Sequence, residues 1–252
     1  MGIEASPEFN ISLAITKSAL EIFDNVLVCL SGGKDSVLMT YIVSKALRVL
    51  GGERVSFVIG DPYPLEGNVE FCEKVLDMLG LPAHTYPRIR FSDHLPPQCH
   101  ANFIAKTKDV ERCCFWCKVK ALSLIVEKTK AEAVFVAVRW DEHPARAKDP
   151  YFRKVSPPLH IRVEPILHWP WSLVLDFYRE HPELLNPLYL KGYTSLGCKP
   201  CTSPTINRTF KTAEEYIDYV QAMILRKELE ERAGRIQDKE KIMERLRAIG
   251  YF

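Results

Sequence analysis

The stretch VCLSGGKDSVLM, from Val28 to Met39, joins an apolar run to an apolar helical pattern through two glycines, a lysine, an aspartate and a serine. The run from Val26 to Leu30 predicts a buried strand, and the apolar spacing after Asp35 predicts a helix. A glycine-rich turn between a strand and a helix presents backbone N–H groups at the positive end of the helix dipole, where phosphate oxygens bind. The turn therefore predicts a phosphate site, to which Lys34 would add a positive charge.

Strand and helix patterns alternate on both sides of this turn. Helical spacing predicts helices over 11–23, 35–50, 69–79 and 119–129, while strand patterns lie at 55–59, 84–86 and 133–138. Such alternation predicts an α/β fold with a mostly parallel sheet and helices on both faces. Two segments rich in proline and in polar or charged residues, 91–102 and 141–158, are better interpreted as loops near a site than as sheet.

The last part of the chain has a different pattern. From Thr212 onward, apolar residues lie on one helical face with charges of both signs between them, namely Leu225, Leu229, Ile236, Met243 and Leu246. We therefore expect an α/β nucleotide-binding domain over 1–205, which includes the cysteines, and a helical C-terminal extension over 206–252. The extension would pack on the core or on a second copy in a homodimer.

Bulk composition excludes some partners and leaves others open. A formal net charge of +2 in 252 residues is too small to predict nucleic-acid or membrane binding from overall electrostatics. The first residues carry no basic and apolar leader, and no apolar stretch reaches the length of a membrane span. We expect a cytoplasmic protein with no membrane partner.

Five of the eight cysteines fall into two clusters, Cys113, Cys114 and Cys117 in one and Cys198 and Cys201 in the other. Thiolates from such distant segments suit a four-sulfur site for zinc or an iron–sulfur cluster. Spacing leaves two sets open, because the C-x-x-C pair at 198 and 201 can combine with Cys114 and Cys117 or with Cys113 and Cys114.

Cys29 and Cys72 differ from the clustered cysteines. Both fall on predicted core faces of the sheet and its helices. Free cysteine is often a small core residue, so we expect neither to bind a metal.

The hexapeptide SGGKDS resembles, at every position, the PP-loop of the ATP pyrophosphatase superfamily, whose members hold ATP and release pyrophosphate while they adenylate a substrate. The resemblance implies a fold of the adenine nucleotide alpha-hydrolase type. It also implies Mg²⁺ near Asp35 and assigns the nucleotide's phosphates to Ser31, Gly32, Gly33, Lys34, Asp35 and Ser36.

Longer stretches resemble the phosphoadenosine phosphosulfate (PAPS) reductase family. The segment EPILHWPWSLVLDFYREHPELLNPLYLKGYTSLGCKPCT resembles its second half, and AVRWDEHPAR resembles a segment in which an arginine faces the nucleotide's phosphate or sulfate. This implies anion binding by Arg139 and Arg146. Two adjacent cysteines followed by a distant C-x-x-C resemble the 4Fe-4S ligands of assimilatory adenylylsulfate reductases, which favours Cys113, Cys114, Cys198 and Cys201.

Three features depart from that family's reductases. No cysteine follows Cys201, although the reductases usually carry a catalytic one near the C-terminus. The phosphate loop is complete, as in members that hydrolyse ATP, and Cys117 stands where related reductases tend to have a basic residue. We therefore expect ATP-dependent adenylation of an acceptor, with a nucleic acid among the candidates, coupled to sulfur transfer. Lys34, Asp35 and Cys117 would be the catalytic residues.

Three other functions stay open at this point. An adenylylsulfate or PAPS reductase would form sulfite with a reductant such as thioredoxin or ferredoxin. A non-catalytic subunit would bind nucleotide and cluster without turnover. The segment from Gly192 to Gly197 also resembles eukaryotic-type FAD synthetases, which lack the cysteine cluster.

Overall fold

A six-stranded sheet forms the centre of the computed structural model, which describes residues 2–51, 54–99, 109–235, 245 and 248. The strand order is β3-β2-β1-β4-β6-β5. Every neighbouring pair is parallel except β5 and β6. The prediction of a mostly parallel sheet is confirmed. The strands are β1 (Val26–Leu30), β2 (Val55–Ile59), β3 (Arg88–Arg90), β4 (Ala133–Phe135), β5 (Phe152–Val155) and β6 (His160–Val163).

Helices cover both faces of this sheet, as predicted. Successive side chains of a strand point to opposite faces. Val28 therefore packs in the core cluster that contains α2, whereas Leu27 packs in the cluster that contains α5. No helix in the described ranges has the length and apolarity needed to cross a bilayer. The helices are α1 (Pro7–Ile22), α2 (Lys34–Leu50), α3 (Asn68–Met78), α4 (Val110–Cys114), α5 (Ala121–Thr129), α6 (Trp171–Glu180) and α7 (Ala213–Leu225), with a π-helical turn, Phe115–Lys120, between α4 and α5.

Two of the predicted segment assignments are wrong. The strand expected at 84–86 begins instead at Arg88, because the N–H groups of Thr85 and Tyr86 both donate to the carbonyl of Pro82 in a turn. The expected loop 141–158 contains β5, which pairs antiparallel with β6 at the edge of the sheet. Its charged residues suggested a loop, yet an edge strand tolerates charge on its exposed side.

The buried face of α1 includes polar residues, although apolar residues are available on the helix. Ile11 and Ile22 are 45% and 68% exposed, whereas Ser12 and Thr16 are buried. Ser12 is accommodated because its hydroxyl donates to the carbonyl of Pro165 and accepts from the indole N–H of Trp169, each at 2.8 Å. A polar side chain satisfied in this way is invisible to a pattern based on hydrophobicity.

The C-terminal part begins with the expected helix, which the described residues 226–235 interrupt. Helix α7 buries Tyr216, Ile217 and Val220 and ends at Leu225, which is 84% exposed. The chain then forms a turn over 231–234 and a single antiparallel bridge between Arg235 and Thr202, and Arg245 and Ala248 are again helical. The other predicted face residues, Ile236, Met243 and Leu246, lie outside the described residues.

Loss of the N-terminal cap of α7 is expected to reduce stability modestly. The side chain of Thr212 accepts a hydrogen bond from the N–H of Glu215 at 3.2 Å. Thr212→Ala is therefore expected to lower the free energy of unfolding in urea by about 1 kcal/mol. Thr212→Ser keeps the acceptor oxygen and is expected to unfold like the wild type. An equal loss in both variants would contradict this role of the cap.

Candidate active site

A cavity opens at the carboxyl ends of β1 and β4, where the strand order reverses. Ligands of open α/β sheets bind in the crevice at such a point. The turn after β1 forms one wall and the segments after β2 and β4 form others. The cavity lining includes Cys29, Ser31, Gly33, Asp35, Ser36, Asp61, Lys118, Glu142, Arg146, Ser195, Leu196, Arg232 and Arg235.

The turn of the SGGKDS motif is held by contacts from distant segments. Gly32 has a φ of +78°, and a Cβ there would lie 2.2 Å from the side-chain oxygen of Asn68. The amide of Asn68 donates to the carbonyl of Ser31 at 2.8 Å, and the amide of Asn186 donates to the carbonyl of Gly32 at 3.0 Å. Only glycine fits this crowded left-handed position. Gly32, the first glycine of the motif, is therefore required for the conformation of the turn.

Lys34 and Arg139 form a buried charge cluster immediately behind the turn. Lys34 is 1% exposed and Arg139 is fully buried. Lys34 pairs with Asp35 at 2.8 Å, and Arg139 pairs with Asp35 at 2.7 Å. Burial opposes the charged form of each cation, but the neighbouring carboxylates outweigh burial and raise the pKa of both. Two of the three cationic side chains predicted to bind the nucleotide's anionic groups therefore lie together, with their charged forms favoured.

The segment 229–235 reaches this charge cluster from the C-terminal side of the chain. The carboxylate of Glu231 contacts both Lys34 and Arg139. Its neighbour Arg232 pairs with Glu142 at 3.1 Å, and Arg235 donates to the carbonyl of Leu196. These residues were not predicted as part of the site, because nothing near Glu231 in the sequence indicates a partner 197 residues away.

Arg146 lies where the sequence analysis placed it, in the cavity wall, and contacts Glu142. Asp35, Glu142 and Glu231 form a group whose carboxylate oxygens lie within 4.8 Å of one another. All three are already paired with cationic side chains. The carboxylate of Asp35 is paired with Lys34 and Arg139. Binding of Mg²⁺ at Asp35 therefore stays a prediction from the resemblance.

Four free cysteine thiols are buried near the cavity, namely those of Cys113, Cys114, Cys198 and Cys201. Burial raises the pKa of Cys113 and Cys114 to about 12 and that of Cys198 to about 11, and the Lys118 ammonium acts against it. These four are the predicted ligands of the 4Fe-4S cluster.

Lys118 and Asp61 connect the thiols to the cavity. The Lys118 ammonium lies 2.8 Å from the carboxylate of Asp61, and the thiol of Cys198 lies 4.0 Å from the same oxygen. Both charged residues line the cavity. The sequence offered a signal for Lys118, which follows the cysteines in the same helical run. It offered none for Asp61.

Cys117, a predicted catalytic residue, is bonded in the structure to Cys99 in a disulfide. The symmetrical zinc set requires Cys117 as a free ligand, and the disulfide removes it. The four cysteines of the other set, Cys113, Cys114, Cys198 and Cys201, form no disulfide. Buried thiols with a cation beside them match the donor chemistry of an iron–sulfur cluster, whose thiolate ligands carry net negative charge. The residues present therefore fit this group.

Comparison with protein families gives one match over most of the chain. The family model described as "Phosphoadenosine phosphosulfate reductase domain" matches residues 25–204. The adenosine 5'-phosphosulfate reductase of Geobacillus thermodenitrificans is 26% identical over 206 residues, which cover 76% of this chain and 82% of the relative. The enzyme of the same name from Streptomyces coelicolor is 28% identical over 193 residues, which cover 76% of this chain and 77% of the relative.

Solved structures agree on the fold. The PAPS reductase of Candida auris superposes with a TM-score of 0.57 at 16% identity, over 76% of this chain and 90% of that one. The FMN adenylyltransferase of Candida glabrata in complex with ATP gives a TM-score of 0.57 at 16% identity, over 94% of this chain and 90% of that one. These structures share the adenine nucleotide alpha-hydrolase-like fold expected from the SGGKDS turn. The family match over residues 25–204 is more specific, and by it this chain belongs to the phosphoadenosine phosphosulfate reductase family of enzymes.

Proposed function

We propose that this enzyme reduces a sulfonucleotide, adenylylsulfate or its 3'-phosphorylated form, to sulfite and the corresponding nucleotide. One observation carries the proposal. The cavity is bounded on one side by the phosphate-binding turn and on another by the Asp61–Lys118 ion pair, which contacts Cys198. An anion held at the turn therefore lies next to the buried thiols. The names of the curated relatives support the same substrate class.

The charge around the cavity suits a polyanionic ligand. Six cationic side chains line it or contact its lining, namely Lys34, Lys118, Arg139, Arg146, Arg232 and Arg235. Against them stand five carboxylates: those of Asp35, Asp61, Glu142 and Glu231 are at most 13% exposed, and that of Asp141, which pairs with Arg139 at 2.9 Å, is 41% exposed. The excess positive charge is available to a phosphate and a sulfate, for which arginine's planar fork is well suited.

The four buried thiols would hold a 4Fe-4S cluster in this account. When bound, the cluster would supply redox-active iron and sulfur beside the anion. The residues of the chain position the substrate. The turn residues Ser31, Gly33 and Ser36 line the phosphate end of the cavity, and Lys118 offers a charge-assisted hydrogen bond at the other end.

The proposal predicts a specific pair of products. Protein purified without oxygen, with its cofactor, is incubated with dithiothreitol and, in separate reactions, with adenylylsulfate or its 3'-phosphorylated form, and sulfite and the released nucleotide are measured together. We expect the two in equal amounts. ATP is offered in a parallel reaction. Formation of AMP and pyrophosphate from ATP, with no sulfite from either sulfonucleotide, would overturn the proposal.

A second function is favoured by one feature, the complete SGGKDS motif after β1. It would be ATP-dependent adenylation of an acceptor, followed by sulfur transfer. Placement of the turn at the carboxyl end of β1 and the start of α2 supports phosphate binding but does not distinguish ATP from a sulfonucleotide. The relatives' names favour the reductase, so adenylation ranks second.

A further inference from the structure

A second cavity lies over the sheet at β4, β5 and β6. Its volume is about 410 Å³, within the range of roughly 300–1,000 Å³ that is typical of small-molecule sites. The sheet forms one wall, and the π-helical turn Phe115–Lys120 and the start of α5 form the other. Among the described lining residues, only Val136 borders both this cavity and the nucleotide cavity. The second cavity is therefore a separate space.

The register of the strands determines the sheet wall of this second cavity. Val134 of β4 pairs with Arg162 of β6, which pairs in turn with Arg153 of β5. Paired residues of neighbouring strands project from the same face of a sheet, so these three side chains form one row. His160 precedes Arg162 by two residues and projects from that face as well. All four residues line the cavity.

Arg162 is buried at this wall with less compensation than Arg139 has in the nucleotide cavity. It is 4% exposed, and its guanidinium pairs with the fully buried carboxylate of Glu164. Burial outweighs this pairing, because it lowers the pKa of Arg162 to about 10 and raises that of Glu164. Several carboxylates instead raise the pKa of Arg139. A further anion in the second cavity would favour the charged form of Arg162.

The other charges at the second cavity are mainly positive. Lys120, Arg153 and Lys154 line it, and none of its described lining residues is acidic. The ammonium of Lys120 lies over the ring of Phe115, 5.4 Å from the ring centre. Asp149 offsets part of the positive charge, at 3.9 Å from Arg153. The described side chains around the cavity therefore favour a ligand with negative charge.

Apolar side chains form most of the wall opposite the sheet, namely Phe115, Val119 and Leu122. Leu122 belongs to the same core cluster as Val134 and Val136 of the sheet wall. Such side chains bury the carbon atoms of a ligand, while an arginine fork binds a carboxylate or sulfonate.

We propose that the second cavity binds a small organic anion with an apolar body, whose acidic group contacts Arg153 and Arg162. The two arginines are neighbours in register on β5 and β6, and both line the cavity. The apolar body lies against the π-helical turn and α5. This inference does not depend on the proposed function, because none of the residues assigned above to the nucleotide or to the cluster lines the second cavity.

Two simple anions serve as probes, 1-naphthoate with an aromatic body and octanoate with an aliphatic one. Each is titrated calorimetrically into the full chain with its cofactor, with and without adenylylsulfate. We expect one molecule of at least one probe to bind per chain, with a Kd below about 1 mM that adenylylsulfate leaves unchanged. Uncharged 1-naphthamide keeps the ring system of 1-naphthoate and is expected to bind about tenfold more weakly than it, because the charge-assisted hydrogen bonds are lost.

Variants of the two walls test the position of the bound anion. Arg153→Met, whose parent side chain is 29% exposed, is expected to weaken binding about tenfold. Leu122→Trp fills the cavity and is expected to abolish binding. Arg54→Met removes an exposed arginine outside both cavities and is expected to bind like the wild type. Thermal unfolding without probe establishes that each variant is folded.

Three results would overturn the inference. The first is that neither probe binds the wild type. The second is that Arg153→Met binds the probe as tightly as Arg54→Met does. The third is displacement of the probe by adenylylsulfate, which would place the anion in the nucleotide cavity.

Discussion

Replacing Arg139 with methionine is expected to lower the free energy of unfolding by about 3–5 kcal/mol, because removal of one partner leaves buried charges uncompensated. The guanidinium is fully buried and pairs with Asp35 and Glu231. Its removal would leave the carboxylates with Lys34 as the nearest remaining cation. Urea unfolding followed by circular dichroism measures the loss.

The matched control replaces an exposed arginine in a simple ion pair. Arg54 is 65% exposed and contacts Asp24. Arg54→Met is expected to change the free energy of unfolding by less than about 1 kcal/mol, because water screens an exposed pair. A similar loss of unfolding free energy in the two variants would show that the buried charge cluster contributes no more to stability than an exposed ion pair does.

Replacing Glu231 with glutamine is expected to tighten sulfonucleotide binding by about tenfold, or ~1.4 kcal/mol. Its carboxylate contacts Lys34 and Arg139, two of the cations expected to attract the ligand's phosphate or sulfate. A phosphate that approaches these cations must compete with that carboxylate. Glutamine keeps the size of the side chain and removes the charge. Isothermal titration of the purified protein with adenylylsulfate gives the affinity.

The neighbouring Glu230 provides the control for this variant. Its side chain is exposed, and Glu230→Gln removes the same charge one residue away. We expect its affinity to match that of the wild type. If Glu231→Gln binds the nucleotide more weakly than Glu230→Gln does, Glu231 supports the ligand, and the competition described above does not occur.

Local sequence was sufficient for the parts of the site that lie within one turn or one helix. The SGGKDS motif predicted β1, α2 and the turn between them, since glycine content and apolar periodicity act over a few residues. Cysteine spacing left two ligand sets open, and the family resemblance favoured Cys113, Cys114, Cys198 and Cys201, which form no disulfide in the structure. That they bind a metal cluster stays a prediction.

Contacts between distant segments set the limits of prediction. Glu231 reaches Lys34 across 197 residues, and Asn186 reaches Gly32 across 154. No periodicity encodes such pairings, because they arise only when the sheet brings loop ends together. The disulfide between Cys99 and Cys117 was missed for the same reason. The edge strand β5 was missed because its charges suggested a loop.

The central claim is that a redox centre built on the four buried thiols adjoins the nucleotide cavity. It is tested most directly by iron, zinc and acid-labile sulfide analysis with a visible spectrum, on protein purified without oxygen. The account predicts about four iron and four sulfide per chain with a broad brown absorbance. Both should be lost in Cys198→Ala and kept in Cys72→Ala. Stoichiometric zinc in a colourless wild-type protein would contradict the account.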